Sequence, residues 1–205
     1  IILEGYNKGL FPMAESRYAK RVQWVEPKKR GIFQLGNFHI SRSLKRVILK
    51  KDYSITVNSC FPKVVEKCAD RNETWINQDI YNCYCKLHDD GFAHSVEVWR
   101  DDRLIGGVYG VAIGAAFFGE SMFSEVSNGS KIALTYLHDR LLKAGFILFD
   151  TQFLTEHLAS LGAIEITQAQ YLIKLEQALN KNANFLNVSY SADVATIAHR
   201  STQTS

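Results

Sequence analysis

Apolar positions recur at helical spacing through the first half of the chain, then switch to alternation, and the order of those changes predicts the elements. Residues 1–8 read as the end of a helix stopped at Gly9. Two short strands, 22–26 and 31–35, flank a Pro27-Lys28-Lys29-Arg30 turn. Residues 41–51 form an amphipathic helix with Ser41 as N-cap and Leu44, Val47 and Ile48 as its inner stripe. After a strand at 53–57, Pro62 marks the first turn of a helix reaching Ala69. Asn77 caps the next, which buries Ile80, Tyr84 and Leu87 and stops at Gly91. From His94 the period is two. Strands at 94–100, 103–113 and 115–123, joined by Asp101-Asp102 and a tight turn at Gly114, make an antiparallel meander. A long helix from Ser127 or Asn128 to Gly145 carries Ile132, Leu134, Leu137 and Leu141 inward. A strand at 147–152, a short helix to Gly162, a strand near Ile164 and a helix at 167–179 complete the pattern, and the polar tail after Asn180 is expected to be loose. The order describes an α+β domain built on a single sheet, with no internal repeat.

Two places break this apolar pattern with chemistry. Gly119-Glu120-Ser121-Met122-Phe123 puts a carboxylate inside an apolar strand, with Glu120 and Phe118 expected on one side and Phe117 and Met122 on the other. A carboxylate there is costly unless a cation or hydrogen-bond donors meet it. Asp150 and Gln152, two apart, share one face at the end of another apolar strand. Either motif alone is accounted for by a capped strand end or a carboxylate satisfied by backbone amides; the pair defines a candidate site.

Composition narrows the class. With 205 residues, 46% hydrophobic and 22% charged, the chain can bury a sizeable core. It has no apolar run near the roughly 20 residues of a membrane helix and no recognisable signal peptide, so a cytoplasmic location is expected. The four cysteines, Cys60, Cys68, Cys83 and Cys85, lack a zinc-type CxxC pair and are expected reduced. The six histidines show no HExxH spacing, and no metal is expected. The net charge of +3 is uneven: residues 17–51 hold eleven Lys or Arg against Glu26 alone, leaving the remainder 13 basic and 20 acidic, net −7. Interleaved with Trp24, Phe33, Phe38 and His39, this block is either a solvated face or a polyanion-binding surface.

The element order is compatible with the acyl-group N-transferase fold, whose coenzyme A enzymes grip pyrophosphate through a glycine-rich loop opening the long helix. Here that loop is Ser124-Glu125-Val126-Ser127-Asn128-Gly129-Ser130, with no arginine-flanked glycine pair and with Glu125 opposed to a pyrophosphate. More specific is a set of ordered motifs: HISRS at 39–43, HSVEVW at 94–99, GGVYG at 106–110, GESMFS at 119–124, DTQ at 150–152 with His157, and ASLGA at 159–163. These resemble the motifs of bacterial leucyl/phenylalanyl-tRNA protein transferases over residues 6–184, nearly the whole chain.

The resemblance implies an acyl-CoA N-acyltransferase-like (GNAT-like) mixed sheet with flanking helices at 29–205. Residues 1–28 are then the remnant of a small N-terminal domain, whose earlier part is expected to precede Ile1. It implies transfer of Leu, Phe or Met from aminoacyl-tRNA to the N-terminal Arg or Lys of an acceptor protein, marking it for degradation, with no cofactor and no membrane partner. The family assigns the match of Gln152 as a base supported by the match of Asp150. A carboxamide is a very poor proton acceptor, so the expected roles here differ. Gln152 orients the attacking amine, Asp150 steadies the developing ammonium, and Glu120 holds the donor's α-ammonium or its adenosine end. Val108, Phe117, Met122, Leu134, Leu137 and Phe149 match the family's pocket wall. Met13 stands where the family often has Trp, so stacking on the terminal adenine would be lost or fall to Trp75. Arg42, Lys45, Arg46 and Lys50 would track tRNA phosphates. The alternatives are a coenzyme A-dependent N-acyltransferase and a non-catalytic RNA-binding module.

Overall fold

The computed structural model describes residues 2–188. Its centre is a seven-stranded mixed sheet. The chain enters through α1 (Ile2–Asn7) and a separate two-stranded hairpin, β1 (Phe11–Ala14) and β2 (Val22–Val25), then runs β3 (Lys29–Phe33), α2 (Arg42–Lys50), β4 (Ser54–Val57), α3 (Phe61–Ala69) and α4 (Gln78–Asp89). The meander β5 (Ala93–Arg100), β6 (Arg103–Ile113) and β7 (Ala116–Ser124) follows. Then come α5 (Gly129–Lys143), β8 (Leu148–Gln152), α6 (Glu156–Ala159), β9 (Ala163–Thr167) and α7 (Gln168–Leu179). The strand order is β4-β5-β6-β7-β8-β3-β9, antiparallel except for the β7–β8 pair. No helix among the described residues is long and apolar enough to cross a membrane.

The caps read from sequence form as hydrogen bonds. Ser41 Oγ accepts from the Leu44 N–H at 3.2 Å and Asn77 Oδ1 from the Ile80 N–H at 2.9 Å. A capping box between Thr167 and Gln170 starts α7. Two cores cover the two sheet faces. Leu44, Ile48, Phe117, Leu134, Leu137 and Phe149 pack on the α2/α5 side; Tyr6, Phe11, Tyr84, Tyr109, Phe118 and Tyr171 pack on the other. The tail differs from the loose segment expected. Phe185 is 2% exposed and stacks on His94 and Phe117 at 4.4 and 5.5 Å. The rest of the tail lies outside the described residues, as does Ile1.

The placement of Phe117 and Met122 on one face has a cause that simple alternation does not supply, since five residues separate them. The β6–β7 register pairs Gly110 with Gly119 and Tyr109 with Ser121, so Glu120 is the extra residue of a β-bulge. The bulge resets the alternation, sending Phe117 and Met122 to one core and Phe118 and Phe123 to the other. A second bulge faces it. On β8, Gln152 pairs with Gly31 and Asp150 with Ile32, leaving Thr151 as the extra residue. Gly31 has to be glycine: a Cβ there would stand 2.7 Å from the Phe153 carbonyl carbon and 2.8 Å from Thr151 Oγ1.

Candidate functional site

The parallel β7–β8 pairing runs from Ala116–Leu148 to Phe118–Asp150. Immediately beyond that last pair, each strand bulges, and Glu120 and Gln152 sit opposite each other. A pocket of about 210 Å³ opens there. Its apolar wall is Val108, Met122, Leu134, Phe149, Phe153 and Leu158, its polar end Glu120, Ser121, Thr151, Gln152 and Thr155, and Arg71 and Trp75 also line it.

Glu120, 8% exposed, is satisfied by neutral donors alone. Tyr6 OH donates to Oε1 at 2.6 Å, Tyr84 OH to Oε2 at 2.6 Å and Gln152 Nε2 to Oε2 at 2.9 Å. Burial raises its pKa, the three hydrogen bonds lower it, and the Asp150 charge raises it; the balance is about 7 against an ordinary 4.5. Between those values the folded protein holds a proton that the unfolded chain releases. Stability contributed by this group therefore falls as pH rises from about 4.5 to 7, by roughly 3 kcal/mol in all. His94, which burial lowers to about 4, gives the opposite slope. The difference between wild type and Glu120→Gln in urea unfolding across pH 4–8 isolates the glutamate, and a pH-independent difference would show that it does not titrate in this range.

Asp150 is fully buried and bound on every side. Arg30 Nε donates to Oδ1 at 2.9 Å and its NH2 to Oδ2 at 2.6 Å; Tyr171 OH donates to Oδ2 and the Gln152 N–H to Oδ1, both at 2.8 Å. Burial lowers the Arg30 pKa, but the Asp150 charge and hydrogen bonds outweigh it and leave the guanidinium above its ordinary value. Asp150, expected to steady the developing ammonium, already accepts hydrogen bonds on both oxygens from within the fold. Arg30, part of the basic block read as surface charge, is a buried partner, 1% exposed.

Of the predicted wall residues, Val108, Met122, Leu134 and Phe149 line the pocket, as does Trp75, the residue expected to stack on the terminal adenine. Phe117 and Leu137 lie behind it in the core, at 0% and 1% exposure. Met13, on β1, is half-buried against the opposite core and does not line the pocket. On α2, Arg42, Arg46 and Lys50 are exposed at i, i+4 and i+8, while Lys45 is half-buried. At the start of α5, Glu125 pairs with Lys67 at 2.8 Å and Ser124 Oγ accepts from the Ser130 N–H. The first turn is thus capped from within the chain rather than left open to pyrophosphate.

Sequence reading missed Tyr6, Arg30, Arg71, Thr151, Phe153, Thr155, Leu158 and Tyr171. Tyr84 was placed on the inner face of its helix, but its hydroxyl partner 36 residues away was not legible. A usable signal for Arg30 existed, since alternation through Arg30-Gly31-Ile32 puts it on the buried face with Ile32.

A match to the family model described as leucyl/phenylalanyl-tRNA protein transferase spans residues 32–176. Proteins bearing that name from Cereibacter sphaeroides strain ATCC 17025 and Ruegeria sp. strain TM1040 are each 55% identical over all 205 residues, covering 96% and 97% of their own lengths. One from Jannaschia sp. strain CCS1 is 50% identical over 92% of this chain and 89% of its own. The chain is thereby placed among the group-transfer enzymes. It belongs to the leucyl/phenylalanyl-tRNA protein transferase family.

Proposed function

We propose that the protein transfers Leu, Phe or Met from aminoacyl-tRNA to the N-terminal Arg or Lys of acceptor proteins in the cytoplasm, marking them for degradation. The observation that carries this reading is an apolar pocket ending in one buried carboxylate. At about 210 Å³ it is smaller than the roughly 300–1,000 Å³ of drug-sized sites, a size suited to one amino-acid side chain. The fold is, in this reading, GNAT-like, with the β7–β8 pair parting at the site, and the 28/29 boundary separates a small N-terminal unit from the catalytic domain.

In this reading the donor side chain lies between Leu134, Phe149 and Met122, and its α-ammonium faces Glu120. The acceptor's α-amine attacks the ester carbonyl. A C–N bond forms, the C–O bond to the terminal ribose breaks, and the amine's proton leaves with the ribose hydroxyl. A free α-amine, with pKa about 7.7–8.0, needs little base assistance, so positioning supplies most of the acceleration. A charged Glu120 fixes the Gln152 carboxamide with Nε2 toward the carboxylate, which leaves Gln152 Oε1 as the acceptor for the incoming amine. Trp75 offers a stacking face for the terminal adenine, and α2 offers cations to the acceptor arm.

The test is transfer of radiolabelled Phe from Phe-tRNA to a peptide beginning with Arg, against one beginning with Ala. Transfer to both alike, or to neither, would sink the acceptor assignment. Neutralising Arg42 and Arg46 together is expected to raise the donor KM and flatten its salt dependence by about two units of slope at most. An aminoacyl-adenosine donor should react equally with mutant and wild type; a loss there would remove α2 from tRNA binding.

A further inference from the structure

We propose that Arg30 is a positioning residue of the transferase site: by neutralising Asp150 it makes that carboxylate a clamp on the Gln152 backbone, aiming the Gln152 carboxamide at Glu120. The kinetic side of this inference rests on the function proposed above; the structural side does not.

Three observations support it. First, Gln152 is a non-glycine residue at φ 64°, a left-handed conformation that glutamine does not favour. It is held there by its own N–H donating to Asp150 Oδ1 at 2.8 Å, a side-chain-to-backbone turn two residues long. Left-handed geometry at this position turns the side chain toward Glu120, where Nε2 makes its 2.9 Å bond. Second, the Asp150 carboxylate is fully buried, and a charge taken out of water needs a cation beside it to stay in place. Arg30 supplies that cation in two-point contact, while the rings of Phe11 and Tyr171 lie 4.8 and 4.4 Å from its guanidinium carbon. Third, Arg30 NH1 donates to the Gly9 carbonyl at 2.8 Å, just past the end of α1. That helix carries Tyr6, whose hydroxyl meets the other oxygen of Glu120. One guanidinium therefore sets both sides of the Glu120 cradle. The charge of Asp150 is consumed by Arg30 inside the fold, and the reaction does not draw on it.

The inference is tested by a double-mutant cycle of Arg30→Gln, Asp150→Asn and the two combined. The introduced asparagine can still accept from the Gln152 N–H, and the introduced glutamine can still donate to that asparagine, so the combined variant keeps the clamp without either charge. The measurement is single-turnover transfer from saturating Phe-tRNA to an Arg-initiated peptide, reading the rate constant separately from the amplitude. Partial unfolding lowers the amplitude and leaves the rate constant in place. Each single variant is expected to slow the rate constant by about tenfold or more, and the combined variant to return to within about threefold of wild type. Hydrogen exchange at the Gln152 amide is read in parallel: protection should be lost in Arg30→Gln and regained in the combined variant. A combined variant as slow as Asp150→Asn would mean that the Asp150 charge acts on the chemistry and would overturn the inference. So would a wild-type rate constant with intact protection in Arg30→Gln. If Arg30→Gln does not fold, Arg30→Lys replaces it: the neutralising charge stays, so the rate constant is expected within about threefold of wild type, and a tenfold loss with the Gln152 amide still protected would overturn the inference. Absence of transfer in the wild-type protein would refute the functional reading instead, and the exchange measurement would still decide the role of Arg30.

Discussion

Arg30→Met is expected to lower the free energy of unfolding by about 3–5 kcal/mol, the range measured when one partner of a buried ion pair is removed. For a chain of this size that is a fall in Tm of roughly 6–20 °C, at about 2–4 °C per kcal/mol. The reason is what stays behind. Asp150 at 0% exposure keeps only the Tyr171 hydroxyl and the Gln152 amide as donors. Gly9 loses its hydrogen-bond donor at the same time. Surface pairs set the scale for comparison. Lys63–Glu66 and Lys86–Asp90 are exposed on both sides, and breaking either should change stability far less, because solvent screens the pair. Thermal unfolding of Arg30→Met with a loss comparable to Lys63→Met would show that the pair adds nothing to the fold.

Most elements were legible because they are announced locally; β1 at Phe11–Ala14, with the second small sheet it forms, was not, and β3 begins at Lys29, inside the stretch read as a turn. Asn77 and Ser41 cap the helices they precede, the change of period at His94 is the meander, and Gly9, Gly91 and Gly145 adopt positive φ at helix ends. The site was legible to the extent that polar residues interrupt apolar strands, which is how Glu120, Asp150 and Gln152 were found. Their partners were not, because what selects them is separation in space. Tyr6 and Glu120 are 114 residues apart, Arg30 and Asp150 are 120 apart, and neither tyrosine nor a strand arginine carries a local mark of its hydroxyl or guanidinium partner. The arginine partner of Asp150 was illegible for the same reason: a carboxylate at a strand end reads alike whether it faces a ligand or an arginine from another strand. The two β-bulges were also out of reach. Each depends on the register of a neighbouring strand, and each re-aims the one side chain on which the site turns.

The same distinction separates the two leucines of α5, and it decides the last prediction. Helical spacing put Leu134 and Leu137 on one inward stripe as equal candidates for the pocket wall. In the structure Leu134 lines the pocket together with Phe149, whereas Leu137, one turn further on, is enclosed by the core. Leu134→Phe is therefore expected to narrow the space that receives the donor side chain. The longer and wider Phe donor should suffer most, since apolar pockets discriminate by volume at about 1–3 kcal/mol, or 10–200-fold. The ratio of kcat/KM for Leu-tRNA over Phe-tRNA should rise by at least about tenfold in Leu134→Phe. Leu137→Phe should strain the core by about 1–3 kcal/mol, lowering Tm and the active fraction for both donors while leaving their ratio at the wild-type value. Because the ratio is taken on one preparation, loss of folded protein cancels and only the pocket's shape remains. A shifted ratio in Leu137→Phe with none in Leu134→Phe would place the donor side chain on the other side of α5 from the pocket described here, and would remove the apolar wall from the proposed function.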